Sequence, residues 1–410
     1  MSTLLSIAWR NLWRHRRRSL ITATAMAVGV ALCMAMLALT DGLYAKLFDV
    51  MVDQQLSHVQ VHQATYPQSR SMYATIPAAA ATIEQIEALP ATRAATGRLL
   101  GFGLVGSGDR SVGIQLVGVD PERERRASPV ADRMVQGAWL GSAPDGGIAL
   151  GAGVADELGV AVGGEVVVVT QAADGSLGNA LYTVRGVYRS GSVALDDRGA
   201  YVHLRDLQDL LVLPDQVHEI ALLARDSDAL PAFQADVRAL LPADRQVRTW
   251  WEVAPQVQQL FGMQAVSSAI MLGIVFSVAG FGIVNTMLMS VFERTRELGV
   301  LKAIGLRPAR IVAMVVAESL MLAGVAVAIG LVLGGLLDVY LVLHGIDFSA
   351  SMAEGFTFSG VTIDPVMRGR VDPWWIVATV TSVFGVAAFA ALWPAIRAAR
   401  LEPVAAIRSE

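Results

Sequence analysis

Leu20–Thr40 reads LITATAMAVGVALCMAMLALT, a run with no charged residue. An α-helix rises ~1.5 Å per residue, so a run of this length crosses ~30 Å of hydrocarbon. Val253–Phe292, Ser319–Leu337 and Trp374–Ile396 are equally free of charge. A soluble helix keeps a polar face over such a distance, and these runs do not. The sequence therefore predicts four membrane-spanning helices, at 19–44, 263–292, 311–340 and 374–396. A long insert, 45–262, separates the first from the second.

The balance of the chain agrees. Apolar residues make up 54% and charged residues 17%, with a mean hydropathy of +0.51, which fits a membrane protein better than a soluble domain. The net charge of −4 and the clustering of arginine at the edges of the apolar runs leave no basic face, so no nucleic-acid partner is expected. The single cysteine, Cys33, allows no intrachain disulfide. It follows Leu32, where lipid attachment needs a small side chain, so it reads as a small buried hydrophobe. Arg14, Arg16, Arg17 and Arg18 resemble the charged start of a signal peptide. The apolar run behind them exceeds the ~7–15 residues of a signal core, so it reads as a retained span.

Charge sets the topology. Arg10, Arg14, Arg16, Arg17 and Arg18 precede the first span. Arg294, Arg296, Lys302, Arg307 and Arg310 lie between the second and third, and Arg397, Arg400 and Arg408 follow the fourth. In the 341–373 loop, Arg368 and Arg370 are offset by Asp347, Glu354, Asp364 and Asp372. The positive-inside bias places both termini, the 293–310 loop and the 397–410 tail in the cytoplasm. The insert and the 341–373 loop then lie outside the cytoplasm; in a diderm bacterium that is the periplasmic side of the inner membrane. Leu5, Trp9, Leu12 and Trp13 share a helical face, so 1–18 reads either as an amphipathic helix in the headgroup layer or as an extension of the first span.

Within the insert, the first span is expected to continue as helix through Tyr44–Gln55. Ser57–His62 alternates as a strand, and Arg98–Val105 and Ser111–Val119 flank Gly106–Asp109 as a hairpin. Gly101, Gly103 and Gly106 match G-x-G-x-x-G, but a turn and a second strand follow where a dinucleotide site needs a helix. Strands are expected at Gly164–Thr170, Leu181–Tyr188, Gly199–His203, Glu219–Ala224 and Gln246–Thr249, and helices at Ile83–Leu89, Gly153–Leu158, Leu204–Leu211 and Leu230–Leu241. The fold class is an α+β membrane protein: four transmembrane helices plus a large mixed α/β extracytoplasmic domain, with a β-rich lobe at about 120–200.

The loop Glu293–Gly305, ERTRELGVLKAIG, carries Leu298, Leu301 and Ile304 three apart, a narrow apolar stripe. Lys302 in the last turn, Gly305 and then Pro308 form a helix stop. A short amphipathic helix between two spans can dock on a cytoplasmic partner or lie on headgroups, and the stripe alone supports both.

These residues carry a family resemblance. Glu293–Gly305 followed by Glu318, the ending PAIRAARLEPVAAIR (Pro394–Arg408), the start AWRNLWR (Ala8–Arg14) and GAGVADELG (Gly151–Gly159) closely resemble the FtsX-like, MacB-type permease family of ABC transporters. With LSHVQVH (Leu56–His62) soon after the first span, the chain looks most like the lipoprotein-releasing, Lol-type permeases. The resemblance implies a MacB-like periplasmic core domain in the insert and a mechanotransmission transporter. Two permeases, two copies or this chain with a paralogue, flank an ABC ATPase dimer. Glu293, Arg294, Glu297, Leu298, Leu301, Lys302, Ile304 and Gly305 would then form the coupling helix seated on the ATPase. A lipoprotein is lifted from the membrane lipid and handed to a periplasmic carrier. The alternatives are another exported substrate, as in macrolide or peptide efflux, or a force-relaying regulator of an envelope hydrolase.

No enzyme is expected in the chain itself. Neither Lys46 nor Lys302 follows a glycine, so no Walker A loop is present, and ATP with Mg is expected on a separate ATPase, with no cofactor held by this chain. His218-Glu219 begins H-E-x-x-H, but Leu222 stands where the second histidine belongs, and no metal ligands or catalytic residues are assigned. Met34, Met36, Met51, Met263 and Met271 are candidate acyl-chain contacts, or ordinary helix packing; Met287 falls in the same class. Glu318 is a carboxylate inside an apolar run, read as a structural acid beside the coupling helix, with a proton relay as the alternative.

Overall fold

Three of the four long helices begin with proline, whose fixed φ and missing N–H suit the first helical position. They are Pro255–Glu293, Pro308–Leu343 and Pro373–Ala399; the first long helix is Arg16–Phe48. Asp372 caps the last by accepting from the Trp374 N–H at 2.9 Å. The computed structural model describes residues 9–10, 16–66, 71–351, 355–400 and 402. The headgroup helix expected over 1–18 and the tail 397–410 therefore lie mostly outside the described residues. The chain divides into two units. A helical unit takes 1–44, 262–348 and 366–410; a mixed α/β unit takes 45–261 and 349–365.

All four long helices are long and apolar enough to cross a membrane. In the helical unit they share one core that includes Val30, Met34, Phe276, Met287, Met314, Leu322, Ala326 and Ala387. Lipid gives helices no hydrophobic reason to associate, so close backbone approach must supply the attraction. The third helix provides it with Gly330-Leu-Val-Leu-Gly334. A Cβ at Gly330 would lie 2.8 Å from Val30 Cβ, and one at Gly334 2.8 Å from Met34 Sδ. Ser319 Oγ donates to the Ala387 carbonyl at 2.8 Å, tying the third helix to the fourth. The extended stretch leading to the fourth helix crosses the first, where Arg370 N–H donates to the Ala38 carbonyl at 2.8 Å. Gly42 permits that crossing, since a Cβ there would collide with the Arg368 carbonyl oxygen.

The mixed unit is built on ten strands. They are β1 (Val59–Gln63), β2 (Thr92–Ser107), β3 (Arg110–Val119), β4 (Met134–Gly137), β5 (Gly147–Gly151), β6 (Glu165–Gln171), β7 (Leu177–Tyr188), β8 (Gly199–His203), β9 (Glu219–Ala224) and β10 (Arg245–Thr249). The order β10-β1-β9-β2 is antiparallel throughout. Helices Ala79–Glu87 and Leu230–Leu240 pack on this layer through Ile83, Ile86, Phe233 and Val237. This is a split β-α-β arrangement with a long insertion between its second and third strands.

The insertion closes on itself. β2 pairs with β3 and β6, β6 with β7, β7 with β5, β5 with β8, and β8 with β3. Six strands in a ring leave no exposed edge among them, which removes the hazard of open strands. Leu99, Val105, Ile114, Leu116, Val166, Val168, Tyr182 and Val184 fill its core. The β-rich lobe is thus larger than 120–200: the hairpin 92–119 forms part of its wall. One long strand serves both layers, because β2 pairs with β9 near Arg98 and with β6 beyond Gly103.

Within this unit the helix expected over Tyr44–Gln55 changes form partway. It is α-helical to Phe48 and a wider π-helix over Asp49–Leu56. The wide turn is fastened on several sides. Asp49 pairs with Arg133, Gln54 Nε2 donates to the Ser190 carbonyl at 3.1 Å, and Gln55 Nε2 to Ser192 Oγ at 2.6 Å. A hairpin from the last loop, Phe356–Phe358 with Val361–Ile363, joins the same place, where Thr362 N–H donates to the Gly191 carbonyl at 2.8 Å.

Candidate coupling site

The loop after the second long helix forms a helix over Thr295–Ala303. Its C-terminal stop has both bonds of a Schellman motif. Leu306 N–H reaches the Leu301 carbonyl at 3.1 Å and Gly305 N–H the Lys302 carbonyl at 3.0 Å. Gly305 sits at φ +95°, which a side chain tolerates poorly. Pro308 then starts the third long helix.

The named residues divide by the direction they face. Leu298 is 3% exposed and belongs to the membrane core, with Leu301 half-buried behind it. Arg294 is buried too. Its Nη1 donates to Glu318 Oε1 at 2.8 Å and its Nε to Glu297 Oε2 at 3.1 Å. Lys302 Nζ donates to the Ala399 carbonyl at 2.9 Å, meeting a carbonyl in the last turn of the fourth helix. Glu293 pairs with Arg18 at 3.0 Å. Arg294, Leu298 and Lys302 therefore hold the short helix onto the bundle. Its outward face is Arg296, Glu297, Val300, Ala303 and Ile304, and Ile304 is 79% exposed.

Glu318 and Arg294 lie 24 residues apart, and each satisfies the other where water is scarce. Sequence reading missed two parts of this assembly. One is Arg18, which brings the first helix to Glu293. The other is Arg397, whose guanidinium lies 4.9 Å from the centre of the Phe292 ring. Their shared place at the membrane edge was the available signal.

The candidate methionines are not gathered on one surface. Met34 is buried against Gly334, and Met271 is half-buried on the same helical core. Met36 and Met263 are exposed. Met51 lies in the π-helical turn, packed with Val52, Ala254 and Val257.

The mixed unit carries its own buried charges beside the π-helical turn. Arg98 Nη2 donates to Glu124 at 2.8 Å, and its Nη1 meets the Gln55 carbonyl at 3.0 Å and Glu219 at 3.4 Å. Burial would push the Glu219 carboxyl up, but His62 and Arg98 outweigh it and hold it below the usual carboxylate range. His218 accepts from the Leu100 N–H through Nδ1 and faces the Met72 carbonyl through Nε2, each at 3.0 Å. Only the neutral Nε2–H ring serves both partners. Burial also holds its pKa below 6.5, against smaller opposing contributions from Met72 and Glu219.

The MacB-like periplasmic core domain model matches residues 19–240, and the FtsX-like permease C-terminal model matches 269–403. This chain belongs to the family with a MacB-like periplasmic core domain, and its C-terminal part resembles the FtsX-like permeases. In these permeases' terms, the mixed unit is the periplasmic-type domain and the bundle with its short helix is the permease part. The chain is 25% identical to the lipoprotein-releasing system transmembrane protein LolC of Neisseria meningitidis, over 73% of this chain and 74% of that one. It is 23% identical to LolE of Haemophilus influenzae, another lipoprotein-releasing transmembrane protein, over 100% of both chains. It is 28% identical to the macrolide export ATP-binding/permease protein MacB of Hyphomonas neptunium, over 57% of this chain but only 34% of that protein.

Proposed function

We propose that the chain is a permease subunit of an ATP-driven, mechanotransmission-type ABC transporter that extracts lipoproteins from the inner membrane for transfer to a periplasmic carrier. The observation that carries this reading is the end-to-end match to a lipoprotein-releasing permease, together with a helix-linked periplasmic-type domain between the first and second spans. The macrolide exporter matches over a smaller share of both chains, so efflux stands second.

In this reading an ABC ATPase dimer, on separate chains, binds ATP with Mg and closes against the outward face of Thr295–Ala303. A second permease, a copy or a paralogue, completes the transporter. Arg294–Glu318 and Lys302 fasten the short helix to the third and fourth long helices, and Leu298 fastens it to the shared core, so a push on it moves the bundle as a body. The first helix continues into the fastened π-helical turn, which passes the motion to the periplasmic domain. Each CH₂ brought from lipid into water costs ~0.8 kcal/mol, so acyl-chain extraction needs both an energy source and a sheltered route to the carrier. The termini and the 293–310 loop are cytoplasmic in this scheme, as the basic residues predict.

Two experiments test it. Purified with its ATPase, the chain should carry acylated lipoprotein; recovery of a small drug or an envelope hydrolase instead would replace the substrate reading. The double variant Glu297→Lys/Gly305→Pro should lose ATPase coupling while still inserting in the membrane, because proline cannot adopt the +95° φ of Gly305. Unchanged transport in that variant overturns the assignment of this helix.

A further inference from the structure

Gly330, Gly334 and Asp338 recur every four residues on the third long helix, so they share one face. The first two meet the first long helix, at Val30 and Met34. Asp338 comes one turn later and is only 4% exposed. Its Oδ1 has no hydrogen-bond partner, and no cation pairs with it among the described residues. An ionised carboxyl left in that state inside a membrane bundle is strongly destabilising, so an acid in this position needs a positive charge or a proton.

Asp338 lines a small cavity of about 10 Å³, the space of a single water. Asp41 of the first helix and Asp372 at the start of the fourth line it too, with Trp375, Leu37 and Ile376 as wall. Asp41 Oδ1 accepts from Gln264 Nε2 of the second helix at 2.9 Å. Asp41 Oδ2 is buried and has no hydrogen-bond partner. The first and third helices thus each bring to one cavity a carboxyl group with a buried oxygen that lacks a donor. Trp375, Arg370 and Asp372 also lie near Asp41. Asp372 is exposed and caps the fourth helix through the Trp374 N–H. Arg370 is a single cation against three carboxyl groups. Among the described residues these acids are not gathered closely enough to hold a metal ion, which leaves the proton.

We infer that Asp338 binds a proton and shares it with Asp41 through one water held in this cavity. With the proton on Asp338 Oδ1, that O–H donates to the water and the water donates to Asp41 Oδ2. Both bare oxygens then have a partner, and one buried charge is gone. Two carboxyl groups that share one site keep a proton between them for this reason. Its loss leaves two negative charges together where water is scarce, and this end of the bundle loosens. Proton binding here belongs to the bundle itself and needs no assumption about cargo or ATPase. The topology decides only which compartment supplies the proton.

The test is infrared spectroscopy of the full chain in detergent, which reads the C=O stretch of a protonated carboxyl directly. At neutral pH the unmutated chain should show that band, and aspartate carrying a heavy-carbon isotope at its side-chain carboxyl should shift it. Asp338→Asn should remove the band, whereas Glu318→Gln should leave it, because Glu318 already pairs with Arg294. The melting temperature of the unmutated chain should fall as pH rises from about 7 to about 9, since a proton held only by the folded bundle is lost there. Asp338→Asn, which keeps an uncharged group of the same shape, should flatten that fall. A missing band, an unshifted band, or a band that survives in Asp338→Asn overturns the site. So does a melting temperature raised by sodium at fixed pH in the unmutated chain but not in Asp338→Asn, which gives the cavity to a metal ion. The isotope measurement needs no substitution, so it decides the matter if Asp338→Asn does not fold.

Discussion

Replacing Glu318 by leucine strips the buried Arg294 guanidinium of its main counter-charge. Arg294 is 9% exposed and Glu318 4%, and they meet at 2.8 Å. Removing one partner of a buried pair costs about 3–5 kcal/mol, most of it from the charge left behind. Arg294 keeps Glu297 at 3.1 Å, but the Glu297 side chain is 43% exposed and its attraction is screened by water. The loss should therefore fall at the low end, about 3 kcal/mol. Arg294→Met should cost a similar amount, because it removes the guanidinium that Glu318 meets at 2.8 Å. The double variant Arg294→Met/Glu318→Leu removes both charges and should recover most of the loss, since apolar replacements of buried pairs are often near neutral. Thermal unfolding of the four proteins in detergent, followed by loss of the monodisperse peak, gives the cycle. A coupling of about 2 kcal/mol or more is expected. Additive single effects would refute the claim that these two residues hold the short helix Thr295–Ala303 to the third long helix.

Two further outcomes follow from packing and protonation. Gly334→Ile should prevent stable folding, because its side chain would enter Met34 and Ala31, whereas Gly335→Ile should be tolerated, since nothing lies within 4 Å of that Cβ; thermal stability of the two variants checks the pair. His218 has a folded pKa below 6.5, so the unfolded chain binds the proton more readily. The stability it contributes is complete above pH ~6.5 and is lost as pH falls toward the folded pKa. Melting temperature should drop between about pH 7 and pH 5, and His218→Gln should flatten that drop. An identical pH profile in the variant would remove His218 as its source.

Much of the architecture was legible in the order of residue types. Four uncharged runs specify membrane helices because an unpaired charge or bare backbone in hydrocarbon is prohibitively costly. Alternation over Ser57–His62 pointed to the strand at Val59–Gln63, and the residues around Gly305 specified where a helix must stop. Those signals are local. Which strands pair is not local: the ring of six strands depends on β2 bonding β9 at one end and β6 at the other, and no periodicity encodes that. The same limit applied to the loop. Its stripe of Leu298, Leu301 and Ile304 looked uniform, but only the packed bundle decides that Leu298 turns inward and Ile304 outward. The sequence alone determined that the chain crosses a membrane, and where a rigid linker lies, because solvation acts on each residue separately. The tertiary structure decided which residues hold that short helix and which face outward, because pairing charges such as Arg294 and Glu318, 24 positions apart, requires the helices that bring them together.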